Sequence, residues 1–310
     1  MSFDKPPKTY AEQVEILRSR GLEIPDRDFA EHCLRHHNYY RLSAYRFVFT
    51  RPNDADRFQH GITFDDLWGL YCFDRRLRLL VMEGVKRLEI SVRTNLAYTL
   101  AHQYGVFSYE DPSRFHNALR HTQGLATLDE ELRRSKEIFV KHYKDAYNLQ
   151  RPPIWAACEV MSFGLLSRFY ENIKADKVRK MIATEYDLMP QTLKSLLRHT
   201  VYVRNLCAHH SRLWNRRFTI TLALPQNRPS ALLPNLNPAE DRRIYNTLVL
   251  LAHIVDLVEP ENHWSHRLRA LLRAQRYPVT RHMGFPSDWE NRAAWKKAPP
   301  EDAEGKSAGA

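Results

Sequence analysis

The stretch Leu70–Leu100, LYCFDRRLRLLVMEGVKRLEISVRTNLAYTL, decides the fold class. Leu70, Phe73, Leu77, Leu80, Gly84, Leu88, Val92, Leu96 and Leu100 recur at spacings of three and four residues. Successive residues of an α-helix turn by about 100°, so these positions make one mostly apolar stripe. A half-buried strand would alternate instead. The stripe predicts a helix of about eight turns, ended by Gly105.

Helical signals continue outward on both sides. Thr9 can cap a helix over 9–20 that Gly21 stops, and Asp26 can cap another running to about His37. Tyr39–Phe47 interleaves aromatics with arginines. It reads mainly as core packing, with base stacking between the arginines as the alternative. Asp54–Gly61 is polar and reads as a linker. On the C-terminal side an amphipathic helix is expected over 128–148. Pro152 and Pro153 open a helix carrying Ile154, Cys158, Met161, Leu165 and Phe169. Pro190 opens another, with Leu193, Leu196, Leu197, Val201 and Val203. Phe218–Leu224 begins with apolar/threonine alternation and is the one fair strand candidate. Pro225–Pro238 reads as a loop, helix returns over 239–258 and 262–275, and Glu301–Ala310 reads as a disordered tail. Trp264, Trp289 and Trp295 are expected to pack and pin the last segment. The expectation is an all-α protein: an N-terminal helical extension (1–60), a helical domain (61–278) and a C-terminal segment (279–310).

Composition removes several function classes. Hydrophobic residues make up 43% of the 310, enough for a packed core. Only 10 residues are glycine, and no GxGxxG or GxxxxGK[ST] run exists, which argues against a nucleotide-binding α/β enzyme. Cys33, Cys72, Cys158 and Cys207 form no CxxC pair, which argues against a zinc ribbon or a dithiol redox motif. His32 and His36 share a helix face beside Cys33, but no carboxylate or second cysteine pair completes a site, so no metal and no cofactor is expected. The N-terminus has no apolar signal core, and no run approaches about 18 apolar residues. A cytoplasmic protein without a membrane span is expected.

The formal net charge is +11, which suggests a polyanionic partner. Much of it sits in one window. Between Asp187 and Glu240 the 52 intervening residues include no acid but hold Lys194, Arg198, Arg204, Arg212, Arg216, Arg217 and Arg228. Lysine is the usual solubilising cation, whereas arginine makes planar forked contacts with phosphate. The arginine bias therefore predicts RNA contacts at Lys194, Arg198, Arg212, Arg216 and Arg217. His199, His209 and His210 could add charge, and Trp214 could offer a stacking surface.

The window centres on Val203-Arg204-Asn205-Leu206-Cys207-Ala208-His209-His210. Histidine titrates near neutrality and can take a proton from a ribose 2′-hydroxyl or give one to a leaving oxygen. Arginine can stabilise the charge that builds on the phosphorus oxygens. The same residues would also suit the polar face of a packed helix. If all lie on one helix, Arg204 and His209 are about 140° apart and Arg204 and His210 about 120° apart on the other side. One copy could not surround a phosphate alone. Two copies across a two-fold axis could, which predicts a homodimer.

The segment resembles the R-x4-6-H signature of HEPN-domain ribonucleases, and the chain more specifically resembles the bacterial Abi-like (abortive infection, AbiD/AbiF type) proteins. The bare R-x4-6-H pattern recurs by chance; an ordered set of five blocks carries the resemblance. They are Asn38–Tyr45; Arg87-Leu88-Glu89-Ile90 with Arg93; Pro153-Ile154-Trp155 leading to Glu159 and Ser162-Phe163-Gly164; Val203 through Arg216; and Met283–Trp289. The resemblance implies a HEPN helical bundle and a metal-independent endoribonuclease used in phage defence, leaving a 2′,3′-cyclic phosphate and a 5′-hydroxyl. By position, Arg204 matches the motif's arginine, Asn205 the polar residue after it, and either His209 or His210 its histidine. Glu159, and Glu89 with Arg93, are expected to support the motif or to form plain ion pairs. A non-catalytic protein holding a small structured RNA is the alternative, and a helical protein docking a membrane surface or partner a third.

Overall fold

The computed structural model describes residues 6–296. Twelve α-helices and one two-stranded hairpin occur among them, an all-α fold. The chain divides into two compact units, Met1–Leu77 and Arg78–Ala310. The expected tail at 301–310 lies outside the described residues.

In the first unit, α1 (Tyr10–Ser19) begins with a capping box, in which Thr9 and Glu12 satisfy each other's backbone donors. Asp26 caps α2 (Arg27–His36) and Asn38 caps the short α3 (Tyr39–Ser43). The aromatic–arginine segment packs in part: Leu42 and Tyr45 are buried, while Tyr40 and Phe47 stay exposed. The Tyr45 hydroxyl donates to the buried Asp74 carboxylate at 2.6 Å. The polar stretch expected to be a linker is instead the second strand of a hairpin, β1 (Thr50–Arg51) with β2 (Asp54–Phe58). Four of the five β2 residues are exposed, so the strand needs no apolar alternation.

The decisive stretch forms α4 (Phe64–Tyr104), begun by reciprocal Thr63–Asp66 hydrogen bonds and followed by Gly105 at φ +90°. Eight of the nine stripe positions are large, and all eight are buried. The ninth, Gly84, has a packing reason: a Cβ there would lie 3.2 Å from the Trp264 ring.

In the second unit the helix expected over 128–148 is two helices, α5 (Ala118–Arg134) and α6 (Ile138–Tyr147). The helix opened by Pro153 is also two. α7 (Ile154–Val160) stops at Met161, and the Ser162 hydroxyl accepts the Leu165 N–H to start α8 (Phe163–Asn172). Ser162 therefore interrupts an apolar spacing that runs unbroken through the sequence. α9 (Asp176–Thr184) has no counterpart among the sequence expectations, and α10 (Pro190–Ala208) starts at the proline as expected. α5 and α10 both pack on α8. α11 (Tyr245–Val258) begins later than expected, and ten of its residues are buried, so it is a core helix rather than an amphipathic one. α12 (Trp264–Arg273) brings the Trp264 indole N–H to the Leu80 carbonyl at 2.7 Å. Trp289 and Trp295 pack with Phe285 and Tyr245 and fix the C-terminal segment.

Phe218–Leu224 is not a strand. Phe218 and Leu222 are buried while Thr219, Thr221 and Ala223 are exposed, so the alternation is real. Its partners belong to α10 rather than to another strand: the Ala223 N–H donates to Ser195 Oγ at 2.8 Å, and the Ile220 carbonyl lies 2.7 Å from His199 Nδ1. No helix among the described residues is long and apolar enough to cross a membrane.

Candidate functional site

α10 carries the arginine of the motif, and its end carries the histidines. The helix stops at Ala208. His209 is its C-cap and His210 follows at φ +54°. The Ser211 N–H donates to the Leu206 carbonyl at 2.9 Å, and the His210 N–H to the Cys207 carbonyl at 3.1 Å. These two bonds are a Schellman closure, with histidine where glycine is usual. His209 still makes the helical bond from its N–H to the Asn205 carbonyl at 3.0 Å, so the angle expected for one continuous helix fails for His210 alone. His209 and His210 are both exposed, as is Asn205.

Arg204 is half-buried and lines an open groove of about 520 Å³ with Leu79, Met82, Glu83, Lys86 and Glu89. Neither histidine lines it. Both acids of this groove are engaged elsewhere. Glu83 bonds Arg87 at 2.7 Å and takes both Nη atoms of Arg267 at 2.9 and 2.7 Å. Burial alone would push the Glu83 carboxyl up, but the bonds and charges of Arg87 and Arg267 outweigh it and hold it below the usual range. Glu89 pairs with Arg93, which also donates to the Cys158 carbonyl. Arg204 is left with a buried Nε that has no hydrogen-bond partner. Arg204 therefore lines the groove with one buried donor unsatisfied.

The remaining predicted residues spread over several surroundings. Glu159, expected amid apolar neighbours, is exposed. Lys194 pairs with Glu171 at 3.2 Å, and Arg198 is exposed in a different groove from Arg204. Arg216 donates through Nε to the Arg212 carbonyl at 2.6 Å, bracing the loop after the motif, and Arg217 is exposed. Trp214 offers no stacking surface: it is buried, donates to the Val279 carbonyl at 3.2 Å and meets His282 edge-on. His199 adds no surface charge. It is fully buried between Ile220 and Thr247, and burial pushes its pKa down to about 4. A carbonyl can only accept, so Nδ1 carries the proton and Nε2 accepts from Thr247.

The His32 and His36 rings lie 4.7 Å apart and tilted by 58°, but no group of three or more His, Cys, Asp or Glu among the described residues is placed to hold a metal ion. Sequence reading missed the unpartnered state of Arg204 Nε, which is a property of packing. It also missed Arg120 and Arg168, which lie outside the acid-free window and join Arg198 only in space.

A protein-family model described as Abi-like protein matches residues 32–215. The match contains the first three sequence blocks and the fourth as far as Asn215, and stops before Met283–Trp289. Neither the curated proteins nor the solved structures give a match to the chain.

Proposed function

The chain belongs to the Abi-like protein family, and from that premise we propose that it is a metal-independent endoribonuclease of an abortive-infection, phage-defence system. The observation that carries the proposal is the state of the motif's arginine. Arg204 is half-buried, its Nε is unpartnered, and the acids beside it are held by other arginines. In this reading Arg204 binds the scissile phosphate and stabilises the charge that builds on its oxygens. His209 or His210 removes the ribose 2′-hydroxyl proton and the oxygen attacks the adjacent phosphorus. The bond from phosphorus to the 5′-oxygen breaks, a proton is returned to that oxygen, and a 2′,3′-cyclic phosphate and a 5′-hydroxyl remain. Neither histidine lines the groove at Arg204; in this reading a second copy of the chain across a two-fold axis completes the site.

The same groove also suits one other reading, a protein that binds a small structured RNA without cutting it. Incubation with an RNA and with a DNA of matching sequence, both in EDTA, distinguishes the two. Cleavage confined to the RNA is expected. Binding without cleavage of any RNA favours the alternative, and cleavage of the DNA removes the 2′-hydroxyl mechanism.

A further inference from the structure

A second open groove, of about 590 Å³, lies where α5, α8 and α10 meet. Its floor is apolar. Phe115 and Phe169 are buried edge-on at 5.7 Å, and Gly124 lets α5 come close, since a Cβ there would lie 3.1 Å from the Phe169 ring. Its rim is cationic. Arg120 comes from α5, Arg168 from α8 and Arg198 from α10. Glu171 is the one acid among the lining residues, and it is already occupied, 3.2 Å from Lys194 and 3.8 Å from Arg120. The side chains of Arg168 and Arg198 have no hydrogen bond or ion pair with any described residue.

With Glu171 shared between Lys194 and Arg120, two of the three guanidiniums have no acid, unlike a structural ion-pair network in which each cation finds one. Like charges gathered in one concavity repel unless an anion enters, and each guanidinium presents a fork of donors that matches phosphate oxygens. The Gln123 amide on the same wall can serve a neighbouring oxygen. Arg198 and Arg204 are six residues apart on α10, about 9 Å along the axis and about 120° around it. The two grooves therefore lie on different faces of one rigid helix.

We propose that this groove is a phosphate-binding subsite that holds the backbone of the RNA strand at a phosphodiester flanking the one at Arg204. The assignment to RNA rests on the ribonuclease reading above; the anion site itself rests on the arginines. The full-length protein is tested with a fluorescent 2′-O-methyl RNA, which binds but offers no nucleophile, and with inorganic phosphate. The variant is Arg168→Gln with Arg198→Gln, both exposed. The control is Arg133→Gln with Arg134→Gln, exposed arginines that pair with Glu130 elsewhere on α5.

The arginine pair in the groove is expected to weaken binding at least tenfold. It should also lower the slope of log affinity against log salt by about 1.4, at about 0.7 for each single-strand phosphate that is no longer neutralised. Cleavage of unmodified RNA should suffer in KM with kcat kept. Binding equal to wild type, or a loss no larger than the control pair's, overturns the proposal. If the strand binds through these arginines but no RNA is cut, the groove stands and the ribonuclease reading falls. If RNA is cut with no dependence on them, the reverse holds. If inorganic phosphate raises the unfolding temperature through Arg168 and Arg198 while no strand binds, the ligand is a free phosphate compound and the RNA assignment is wrong.

Discussion

His210 holds a left-handed backbone conformation at the end of α10, one that costs a residue with a Cβ about 1 kcal/mol. Glycine relieves that cost and keeps both bonds of the helix closure. His210→Gly therefore keeps the backbone of the helix end while removing the imidazole, and the unfolding temperature is recorded beside the activity. His209→Ala is its companion. RNA cleavage should fall by about 10²- to 10⁴-fold in at least one of the two; wild-type rates in both would take the imidazoles out of the mechanism. His199 acts on stability instead. The unfolded chain takes up its proton near pH 6.5 and the folded chain only near 4. Between those values the unfolded state binds more protons, so stability falls as the pH drops, by up to about 1.4 kcal/mol per unit. Urea unfolding of wild type and His199→Gln at pH 7, 6 and 5 reads this directly. The gap between them should narrow as the pH falls, and a constant gap would contradict a neutral buried His199.

At the scale of elements, what could be read from the sequence followed from what each signal depends on. The α4 stripe and the caps at Thr9 and Asp26 are local, and each forms where the residues put it. The break at Ser162 was hidden because apolar spacing runs straight through it, and only the side-chain cap separates α7 from α8. Phe218–Leu224 shows the opposite failure. Alternation reports a segment with one buried face, and it cannot say whether strand or helix supplies the partner. The motif followed the same rule. Its residues were visible in the chain, but the helix end between Ala208 and His210 was not, because no glycine marks it. Gly84, counted in the α4 stripe by its spacing, is the seat of the Trp264 ring. Gly84→Ala must move that ring by a few tenths of an ångström and is expected to cost about 1–3 kcal/mol by urea unfolding. An unchanged midpoint would mean the indole yields freely.

At the scale of the whole molecule, the excess of +11 is unevenly used. Of the seven cations in the acid-free window, Lys194 is consumed by Glu171 and Arg216 braces a loop, while Arg198 and Arg204 enter two separate grooves. The sequence showed where the cations cluster. It could not show which of them lack partners, because the deciding acids and arginines come from α4, α5, α8 and α12. The central claim is that Arg204 is left unpaired in order to hold a phosphate that is cut by its own ribose. The direct measurement is the end chemistry of one RNA treated in EDTA with wild type and with Arg204→Ala, the unfolding temperature being recorded for both. The account predicts 2′,3′-cyclic phosphate ends from wild type, none from Arg204→Ala, and equal unfolding temperatures. Cleavage by a folded Arg204→Ala at the wild-type rate would contradict it.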